Sequence, residues 1–289
     1  MRKEENTMNI GVIGLGLMGG SFARAAIKKG HVVYGYDVSE QVMLKAELMK
    51  AISDKLTPEN ASKVELLILA VTPDKIESVL SEFVPKLKKG TIVNDFCGIK
   101  TGVVSLMKKY VAKYPEITFV GGHPMAGREF SGIEHSAVNL FDNASMILVN
   151  VNADIFTLES VKKFYLGFGF KNVEICSAKL HDERIAFTSQ LCHIVSNAFI
   201  KNENAAVHDG FSAGSYKDMT RVARLDPVMW GDLMTDNSAN LIKELDELIF
   251  HLNEYRDALN NKDKEKLTRL LSEGNERKLS IDVRSSKKE

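Results

Sequence analysis

The stretch that decides the fold is MNIGVIGLGLMGGSFARAAIKK, residues 8–29. Its first part is an apolar run with the length of a buried β-strand, and its last part spaces apolar side chains at the period of an α-helix. Between the two parts, Gly14, Gly16 and Gly19 stand in the spacing G-x-G-x-x-G. A strand, a glycine loop and a helix in direct succession are typical of the first unit of a Rossmann-like domain.

Each glycine of this loop has a physical task. Gly14 allows the tight turn, Gly16 lets the backbone approach a pyrophosphate, and Gly19 lets the helix pack close to the sheet. The phosphates then lie at the helix N-terminus, which favours anions. Asp37 closes the second predicted strand, where its carboxylate can accept hydrogen bonds from both ribose hydroxyls and repels a 2′-phosphate. We therefore predict NAD, rather than NADP, as the cofactor.

A second segment of the predicted cofactor site follows the third long strand. Val71 and Thr72 stand at the carboxyl end of that strand, where doubly wound sheets bind ligands. The Thr72 hydroxyl has an alternative role as a helix cap, and the glycine turn would also fit a Rossmann-like domain that binds nothing. The predicted cofactor-binding residues are Gly14, Leu15, Gly16, Leu17, Met18, Gly19, Asp37, Val71 and Thr72.

The pattern of apolar residues along the chain changes once, near residue 177. Residues 1–177 alternate short apolar runs with amphipathic stretches, which predicts an α/β, Rossmann-like dinucleotide-binding domain with a mostly parallel sheet. Residues 178–289 show long helical patterns, at residues 185–200, 227–255 and 262–271, and predict an all-helical domain for substrate binding and dimerisation. The predicted strands are Asn9–Ile13, Val32–Tyr36, residues 66–71, 91–95, 118–120 and 145–149, and Asn172–Ile175.

Two features of the helical part bear on its packing, and the first has two interpretations. The apolar stripe of residues 241–252 is either an ordinary helix core or the interface of a homodimer, because a small helical domain does not easily bury all its apolar faces alone. The polar tail from Ser280 is expected to be frayed.

Composition limits the kinds of partner. Lys and Arg together number 38, as do Asp and Glu, so net charge gives no argument for nucleic acid or an anionic membrane, and we expect a small-molecule partner. Cys97, Cys176 and Cys192 fit neither a zinc spacing nor a disulfide framework, which indicates a reducing compartment and no metal. The polar N-terminus and the glycine-broken run after it are neither a signal peptide nor a membrane span. A cytoplasmic protein is predicted.

One histidine of the seven stands out. His123 lies in GGHPMAG, residues 121–127, directly after a predicted strand, and small or rigid residues around it fix a loop and leave room for a ligand. Hydride transfer from a carbinol carbon is helped by a base near the hydroxyl, and a histidine is neutral and accepting near pH 7. His123 is the predicted catalytic base, with a structural histidine as the alternative.

The chain resembles the prephenate/arogenate dehydrogenase (TyrA-type) family. The resemblance rests on GHPMAG at residues 122–127 and on SGIE at residues 131–134. Three further segments are similar to that family: DFCGIK at residues 95–100, the helix from His181-Asp182 to His193, and the stretch from Tyr216 to Trp230. Together with the glycine loop, these segments span most of the chain.

The resemblance implies an oxidative decarboxylation. Hydride leaves C4 of a cyclohexadienol ring for nicotinamide, the ring carboxylate departs as CO2, and the ring becomes aromatic. It implies that His123 hydrogen-bonds the ring hydroxyl and that Arg221 binds a carboxylate of the dicarboxylate substrate, for which a guanidinium is suited. Arg224 is a possible substitute for Arg221. From the residues alone, Arg221 is a solvated surface charge.

The same resemblance implies the remaining substrate-binding residues. Glu129 would pair with the substrate arginine and gate the pocket, and Gln190 and His193 would line the pocket. From the residues alone, Glu129 is a surface glutamate, His193 a core histidine and Trp230 a packing residue. Many relatives have serine where Gly98 stands, so the hydroxyl expected to hold both the histidine and the substrate is missing here.

The predicted function is that of a prephenate dehydrogenase in tyrosine biosynthesis, with NAD and a homodimer formed through the helical domain. Arogenate dehydrogenase activity is the nearest alternative. A β-hydroxyacid dehydrogenase shares the glycine loop, but the helix that carries its catalytic lysine is not found. A non-catalytic NAD(H)-sensing protein would have no reason to keep both His123 and Arg221.

Overall fold

The computed structural model describes residues 7–128 and 130–286. Its sheet has eight strands in the order β3-β2-β1-β4-β5-β6-β7-β8, and every neighbouring pair is parallel except β6 and β7. The strands are β1 (Asn9–Ile13), β2 (Val32–Tyr36), β3 (Asp54–Lys55), β4 (Leu66–Leu69), β5 (Ile92–Asp95), β6 (Thr118–Met125), β7 (Ser145–Asn150) and β8 (Asn172–Ile175). The α/β prediction with a mostly parallel sheet is confirmed.

The helices of the first part lie between strands, although only short 3-10 turns separate β3 from β4 and β6 from β7, and the helices after β8 follow one another without further strands in the described residues. They are α1 (Leu17–Lys28), α2 (Glu40–Leu48), α3 (Ile76–Phe83), α4 (Thr101–Lys113), α5 (Ile155–Phe168), α6 (Ala178–Ile185), α7 (Cys192–Phe199), α8 (Gly214–Thr220), α9 (Pro227–Asp236), α10 (Ser238–Asn260) and α11 (Lys264–Ser286). A π-helical turn, Ala186–Leu191, joins α6 to α7. The helical part predicted after the sheet is therefore confirmed.

The sheet is buried on both faces, as its apolar strands require. Successive residues of β4 divide between two apolar clusters, because successive side chains of a strand point to opposite faces. Leu66 and Ile68 belong to the cluster that contains Phe22 of α1, while Leu67 and Leu69 belong to the cluster of α3 and α4. Because strands β1 to β6 run in parallel, their carboxyl ends lie at the same edge of the sheet.

Strand β6 is longer than predicted and carries His123 itself, so the predicted loop at this histidine is wrong. Pairing with β5 ends at Val120, but antiparallel pairing with β7 continues to Met125. One edge of β6 is released where Pro124 stands, which is where a strand tolerates a residue without an N–H. At Gly122 a Cβ would lie 2.6 Å from the carbonyl oxygen of Asp95, so only glycine permits this close approach.

The chain divides into two compact units, of which the larger ends at Asn237 and the smaller begins at Ser238. The helical pattern of residues 227–255, predicted as one helix, is interrupted at Asn237, the C-cap of α9. The predicted domain boundary after residue 177 lies within the larger unit and stays a prediction.

The smaller unit consists of α10 and α11. Lys262 in the turn has φ 52°, and the side chain of Asp263 accepts from the N–H of Lys266 at the start of α11. The prediction of a frayed tail from Ser280 is wrong for the described residues, since α11 continues to Ser286. An ion pair between Lys278 and Asp282, one helical turn apart, supports this end. Within residues 7–128 and 130–286, no helix is long and apolar enough to cross a membrane.

Candidate active site

The glycine loop between β1 and α1 has the shape that a dinucleotide requires. Gly14 has φ 86°, and a Cβ on it would lie 2.4 Å from the carbonyl oxygen of Ala70. A Cβ on Gly19 would lie 1.8 Å from the carbonyl oxygen of Gly14. Gly16 is different, because a Cβ there would meet no atom of the described residues within 4 Å. Two glycines thus satisfy the fold, and the third faces space open to a ligand.

The charges around this loop suit an anion on one side and a ribose on the other. Helix α1 begins after Gly16 with the uncharged turn Leu-Met-Gly-Gly, so its N–H groups and positive end are available to a pyrophosphate. The carboxylate of Asp37, just past β2, accepts from the N–H of Leu15 at 2.8 Å and from that of Ser39 at 2.9 Å. Asp37 is therefore held in place against the loop, and the residues present fit a dinucleotide.

The remaining predicted cofactor residues lie around the same loop, with differing exposure. The side chain of Leu15 is fully buried in the apolar core, whereas Leu17 and Met18 are half-buried. Val71 packs against Gly14, since its Cγ1 would lie 2.9 Å from a Cβ there. Thr72 is exposed, and its hydroxyl donates to the carboxylate of Asp74 instead of capping the following turn.

His123 forms the front of a chain of three polar side chains. It lies near the carboxyl end of β6 and is half-buried. Its Nδ1 is 2.9 Å from Nε2 of His181, and Nδ1 of His181 is 2.7 Å from Oδ1 of Asp182. The carboxylate of Asp182 accepts from the backbone N–H groups of Lys100 and Thr101, each at 2.8 Å. The start of α4 therefore fixes Asp182, which orients His181, which contacts His123.

A buried ion pair supports β6 beside this chain. The ammonium of Lys100 contacts the carboxylate of Asp95, and both side chains are fully buried. Asp95 also accepts from the backbone N–H of Cys97 at 2.9 Å and of Gly122 at 3.2 Å. The segment DFCGIK thus closes on itself and fixes the backbone next to His123.

The electrostatics of the site keep both histidines neutral. Burial lowers the pKa of His123 well below its usual value, with the neighbouring His181 and the Lys100 charge acting in the same direction and Asp182 opposing them. Burial likewise lowers the pKa of His181, although its hydrogen bond to Asp182 acts against this. Burial raises the pKa of Asp182, but hydrogen bonds from His181, Thr101 and Lys100 outweigh it, and the net pKa is lowered. At neutral pH the site holds two neutral imidazoles and one carboxylate.

The predicted pocket residues of the π-turn and α7 have partners within the protein. Nδ1 of His193 lies 2.8 Å from the carbonyl oxygen of Ser189, and its ring packs against Trp230 at a tilt of 32°, with 4.1 Å between centroids. The amide of Gln190 is buried, donates to the carbonyl oxygen of Leu233 at 2.9 Å and accepts from Asn237 at 2.8 Å. Gln190 is thus tied to the site from behind, since Asn237 also donates to the carbonyl oxygen of Asp182 at 2.9 Å.

The two predicted arginines lie at and just after the end of α8. Arg221 is the C-cap of that helix, and both Arg221 and Arg224 are exposed. The guanidinium of Arg224 lies 5.9 Å from the ring centroid of Phe130, in the segment that follows β6. The structure thereby brings the end of α8 to the chain segment that leads away from His123. Glu129, the predicted gate, lies outside the described residues.

Comparison with known proteins decides the family. Residues 22–174 match the family described as prephenate dehydrogenase, nucleotide-binding domain. Residues 177–273 match the family described as prephenate dehydrogenase, dimerization domain. The chain belongs to the prephenate dehydrogenase family. It is an oxidoreductase, and the resemblance drawn from the motifs is confirmed.

Individual members of the prephenate dehydrogenase family are similar over their full length. Cyclohexadienyl dehydrogenase of Zymomonas mobilis is 30% identical over 285 residues, which cover 94% of this chain and 96% of that protein. The crystal structure of prephenate dehydrogenase from Aquifex aeolicus in complex with hydroxyphenyl propionate and NAD+ superposes with a TM-score of 0.82 at 27% identity, over 96% of this chain and 100% of that chain. Synechocystis arogenate dehydrogenase superposes with a TM-score of 0.79 at 25% identity, over 95% and 100%.

The rival β-hydroxyacid dehydrogenases share the fold only. A 3-hydroxyisobutyrate dehydrogenase from Salmonella typhimurium superposes with a TM-score of 0.58 at 14% identity, over 88% of this chain and 95% of that chain. The glycine loop of residues 14–19 is the feature for which the sequence analysis considered this class of enzyme. At 14% identity, this superposition shows a shared fold alone.

The second half of the family signature, SGIE, is a folding element in this prephenate dehydrogenase family member. Gly132 has φ 98°, a conformation that favours glycine. Ile133 is fully buried, and its Cγ1 would lie 3.0 Å from a Cβ on Gly20 of α1. Glu134 pairs with Lys45 of α2 at 3.2 Å. The segment after His123 is thus anchored to the helices that flank the glycine loop.

Gly98 lies in the turn between Asp95 and Lys100. A Cβ on Gly98 would meet the Leu233 side chain of α9 at 3.4 Å, an ordinary contact.

Sequence reasoning missed the functional contribution of four residues: His181, Asp182, Asp95 and Lys100. Their motifs were visible, but only the fold shows that they converge on His123.

Proposed function

We propose that this protein catalyses the NAD+-dependent oxidative decarboxylation of prephenate to 4-hydroxyphenylpyruvate, a step of tyrosine biosynthesis. The observation that carries the proposal is the neutral, half-buried His123, held from behind by His181, at the sheet edge that also bears the glycine loop. His123, Asp37 and the loop all follow or end parallel strands, so they share the edge where doubly wound sheets bind ligands.

The protein residues divide the work of this reaction between binding and proton transfer. NAD+, when bound on the glycine loop, supplies the acceptor for the hydride from C4 of the ring. Nε2 of His123 accepts a hydrogen bond from the ring hydroxyl and draws its proton as the hydride leaves. When the carboxylate departs as CO2, its bonding pair completes the aromatic ring and the phenolic oxygen recovers the proton. Aromatisation supplies the driving force, so orientation is the main task of the site.

The substrate is a dicarboxylate, and a chain without net charge must meet it with local cations. We assign Arg221 to a substrate carboxylate, with Arg224 next to it, because both lie exposed at the end of α8. The contact of Arg224 with Phe130 supports their closeness to the segment after His123. Glu129 is proposed as the partner that gates the arginine.

The roles of the other pocket candidates follow from their contacts. His193 uses Nδ1 for the Ser189 carbonyl, so Nε2 is the atom that it would present to a ligand. Gln190 is proposed to contribute through Asn237, because both ends of its amide are already engaged. Its effect on substrate binding would then be indirect.

The organisation proposed for the whole chain is a homodimer. Residues 1–177 would form the NAD-binding domain and residues 178–289 the helical substrate and dimerisation domain. Helix α10 exposes apolar side chains that a second copy of the chain would cover in such a dimer. They are Ile242, Ile249, Phe250 and Leu252. The three cysteines are free, which fits the reducing conditions of the cytoplasm, and we propose that location.

A substrate panel tests the proposal. Purified protein is incubated with NAD+ or NADP+ and with prephenate, arogenate or 3-hydroxyisobutyrate, and reduced cofactor is followed by absorbance. Reduction of NAD+ with prephenate is expected. Turnover of arogenate alone would assign the protein to that substrate within the same family. Turnover of neither prephenate nor arogenate would refute the proposed reaction.

A further inference from the structure

The hydrogen-bond chain behind His123 determines which of its ring nitrogens carries the proton. Asp182 is the fixed end of this chain, because both carboxylate oxygens accept from backbone N–H groups at the start of α4. An ionised carboxylate can only accept hydrogen bonds. Its neighbour, Nδ1 of His181 at 2.7 Å, must therefore be the donor.

The second step follows from the single proton of a neutral imidazole. With its proton on Nδ1, His181 presents Nε2 as an acceptor. This Nε2 lies 2.9 Å from Nδ1 of His123, so the proton between them belongs to His123. The opposite arrangement would require a doubly protonated His181, which its burial and the nearby Lys100 charge disfavour.

We propose that Asp182 and His181 are positioning residues that hold His123 as the Nδ1–H tautomer, so that its Nε2 is the proton acceptor of the reaction. The relay connects three elements: α4 through its first N–H groups, α6 through His181 and Asp182, and β6 through His123. It also distributes charge. When Nε2 takes up the hydroxyl proton, the imidazolium is stabilised by the Asp182 anion through His181, with no further proton leaving the site.

His181 and Asp182 act through His123: His181 contacts its Nδ1, and Asp182 contacts His181. His181 and Asp182 are buried, whereas His123 is half-buried. Among the described residues, the titratable and charged groups that face His123 are His181 and Asp182 from α6, and Lys100, paired with Asp95, from the turn before α4. The tautomer assignment does not depend on the substrate, while its catalytic consequence rests on the proposed function.

The direct test measures the tautomer in the free protein. Long-range 1H–15N spectra of 15N-histidine-labelled protein distinguish protonated from unprotonated ring nitrogens, and the His123→Asn variant assigns the signals. We expect Nδ1 of His123 to be protonated and Nε2 to be unprotonated at neutral pH. A protonated Nε2 in the wild-type protein would overturn the inference whatever substrate the enzyme turns over. Failure of the substrate panel would leave this spectrum unaffected.

Asp182→Asn supplies the functional test. With its NH2 group in the position of Oδ1, the new amide donates to Nδ1 of His181 while its oxygen accepts from the N–H of Thr101. The N–H of Lys100 then loses its acceptor. This arrangement reverses both tautomers and places a proton on Nε2 of His123. We expect kcat to fall by about 10²-fold or more, with KM little changed. Loss of the carboxylate also removes a charge that raises the pKa of His123, so the acid limb of the kcat–pH profile moves to lower pH.

A matched control separates this effect from a general loss of structure. His251 and Glu254 form an exposed histidine–carboxylate pair on α10 with a similar distance of 2.9 Å. Glu254→Gln is expected to leave kcat, its pH profile and the His123 spectrum unchanged. An Asp182→Asn protein with unchanged kcat and unchanged tautomer would overturn the proposal. If that variant does not fold, the wild-type spectrum still decides it.

Discussion

Replacement of Lys100 by methionine tests the buried ion pair on which the backbone beside His123 depends. Methionine keeps most of the volume of the lysine stem and removes only the charged end. The change leaves Asp95 as a carboxylate with a fully buried side chain and without its cation. In the wild type this carboxylate is what holds the N–H groups of Cys97 and Gly122.

The size of the effect depends on the hydrogen bonds that Asp95 retains after Lys100 is replaced. Removal of one partner from a buried ion pair costs about 3–5 kcal/mol. Two backbone donors remain, at 2.9 Å and 3.2 Å, and hydrogen bonds to a carboxylate are charge-assisted. We therefore expect the free energy of unfolding to fall by about 3 kcal/mol, the lower end of that range. The free energy of unfolding should fall by less in the double variant Asp95→Asn with Lys100→Met, because that variant leaves no unpaired charge.

The measurement is denaturant unfolding followed by circular dichroism. Lys108→Met, at an exposed position on α4, the helix that Lys100 precedes, is the matched control, and its effect should stay within about 0.5 kcal/mol. A loss below about 1 kcal/mol for Lys100→Met would refute the reasoning. The Lys100 charge also lowers the pKa of His123. Its removal should therefore move the acid limb of the kcat–pH profile to higher pH, opposite to Asp182→Asn.

Three further predictions concern catalysis and binding. His123→Asn removes the proton acceptor, so kcat should fall by about 10²-fold or more while NAD+ affinity measured by titration stays nearly intact; an unchanged kcat would exclude His123 from the reaction. Arg221→Gln should chiefly raise KM for prephenate, because it removes binding shared by ground and transition states; a normal KM would transfer the role to Arg224. Asp37→Asn keeps an acceptor for the loop but removes the charge, so the ratio of KM for NADP+ to KM for NAD+ should fall, and a constant ratio would contradict the assignment.

The parts of the fold that were predictable are those with local causes. The glycine loop could be interpreted from sequence because the left-handed φ of Gly14 and the close contact of Gly19 admit no other residue. The strands β1, β2 and β8 were predicted with their observed bounds, since short apolar runs bounded by polar residues have few alternatives. His123 was selected from its glycine- and proline-rich neighbours alone.

The sequence-based predictions that were wrong failed mainly because contacts in the tertiary structure decided those regions. The length of β6 was underestimated because its last residues pair only with β7, whose partner residues lie 20 or more positions further along the chain, and glycine and proline there indicate a loop when taken alone. The interruption at Asn237 was missed because its side chain is recruited by Gln190 and the Asp182 backbone. The helix that continues beyond Ser280 lacks an apolar face strong enough to predict it.

The sequence by itself determined the glycine loop, the acidic residue that follows β2 and the histidine of the family signature, because each depends on a few neighbouring residues. Only the tertiary structure decided which groups stand behind that histidine. His123 and His181 are 58 residues apart, and Asp182 is 82 residues from the Lys100 N–H that holds it. The protonation of the reacting nitrogen is set by hydrogen bonds between three distant elements, and no local pattern encodes that convergence.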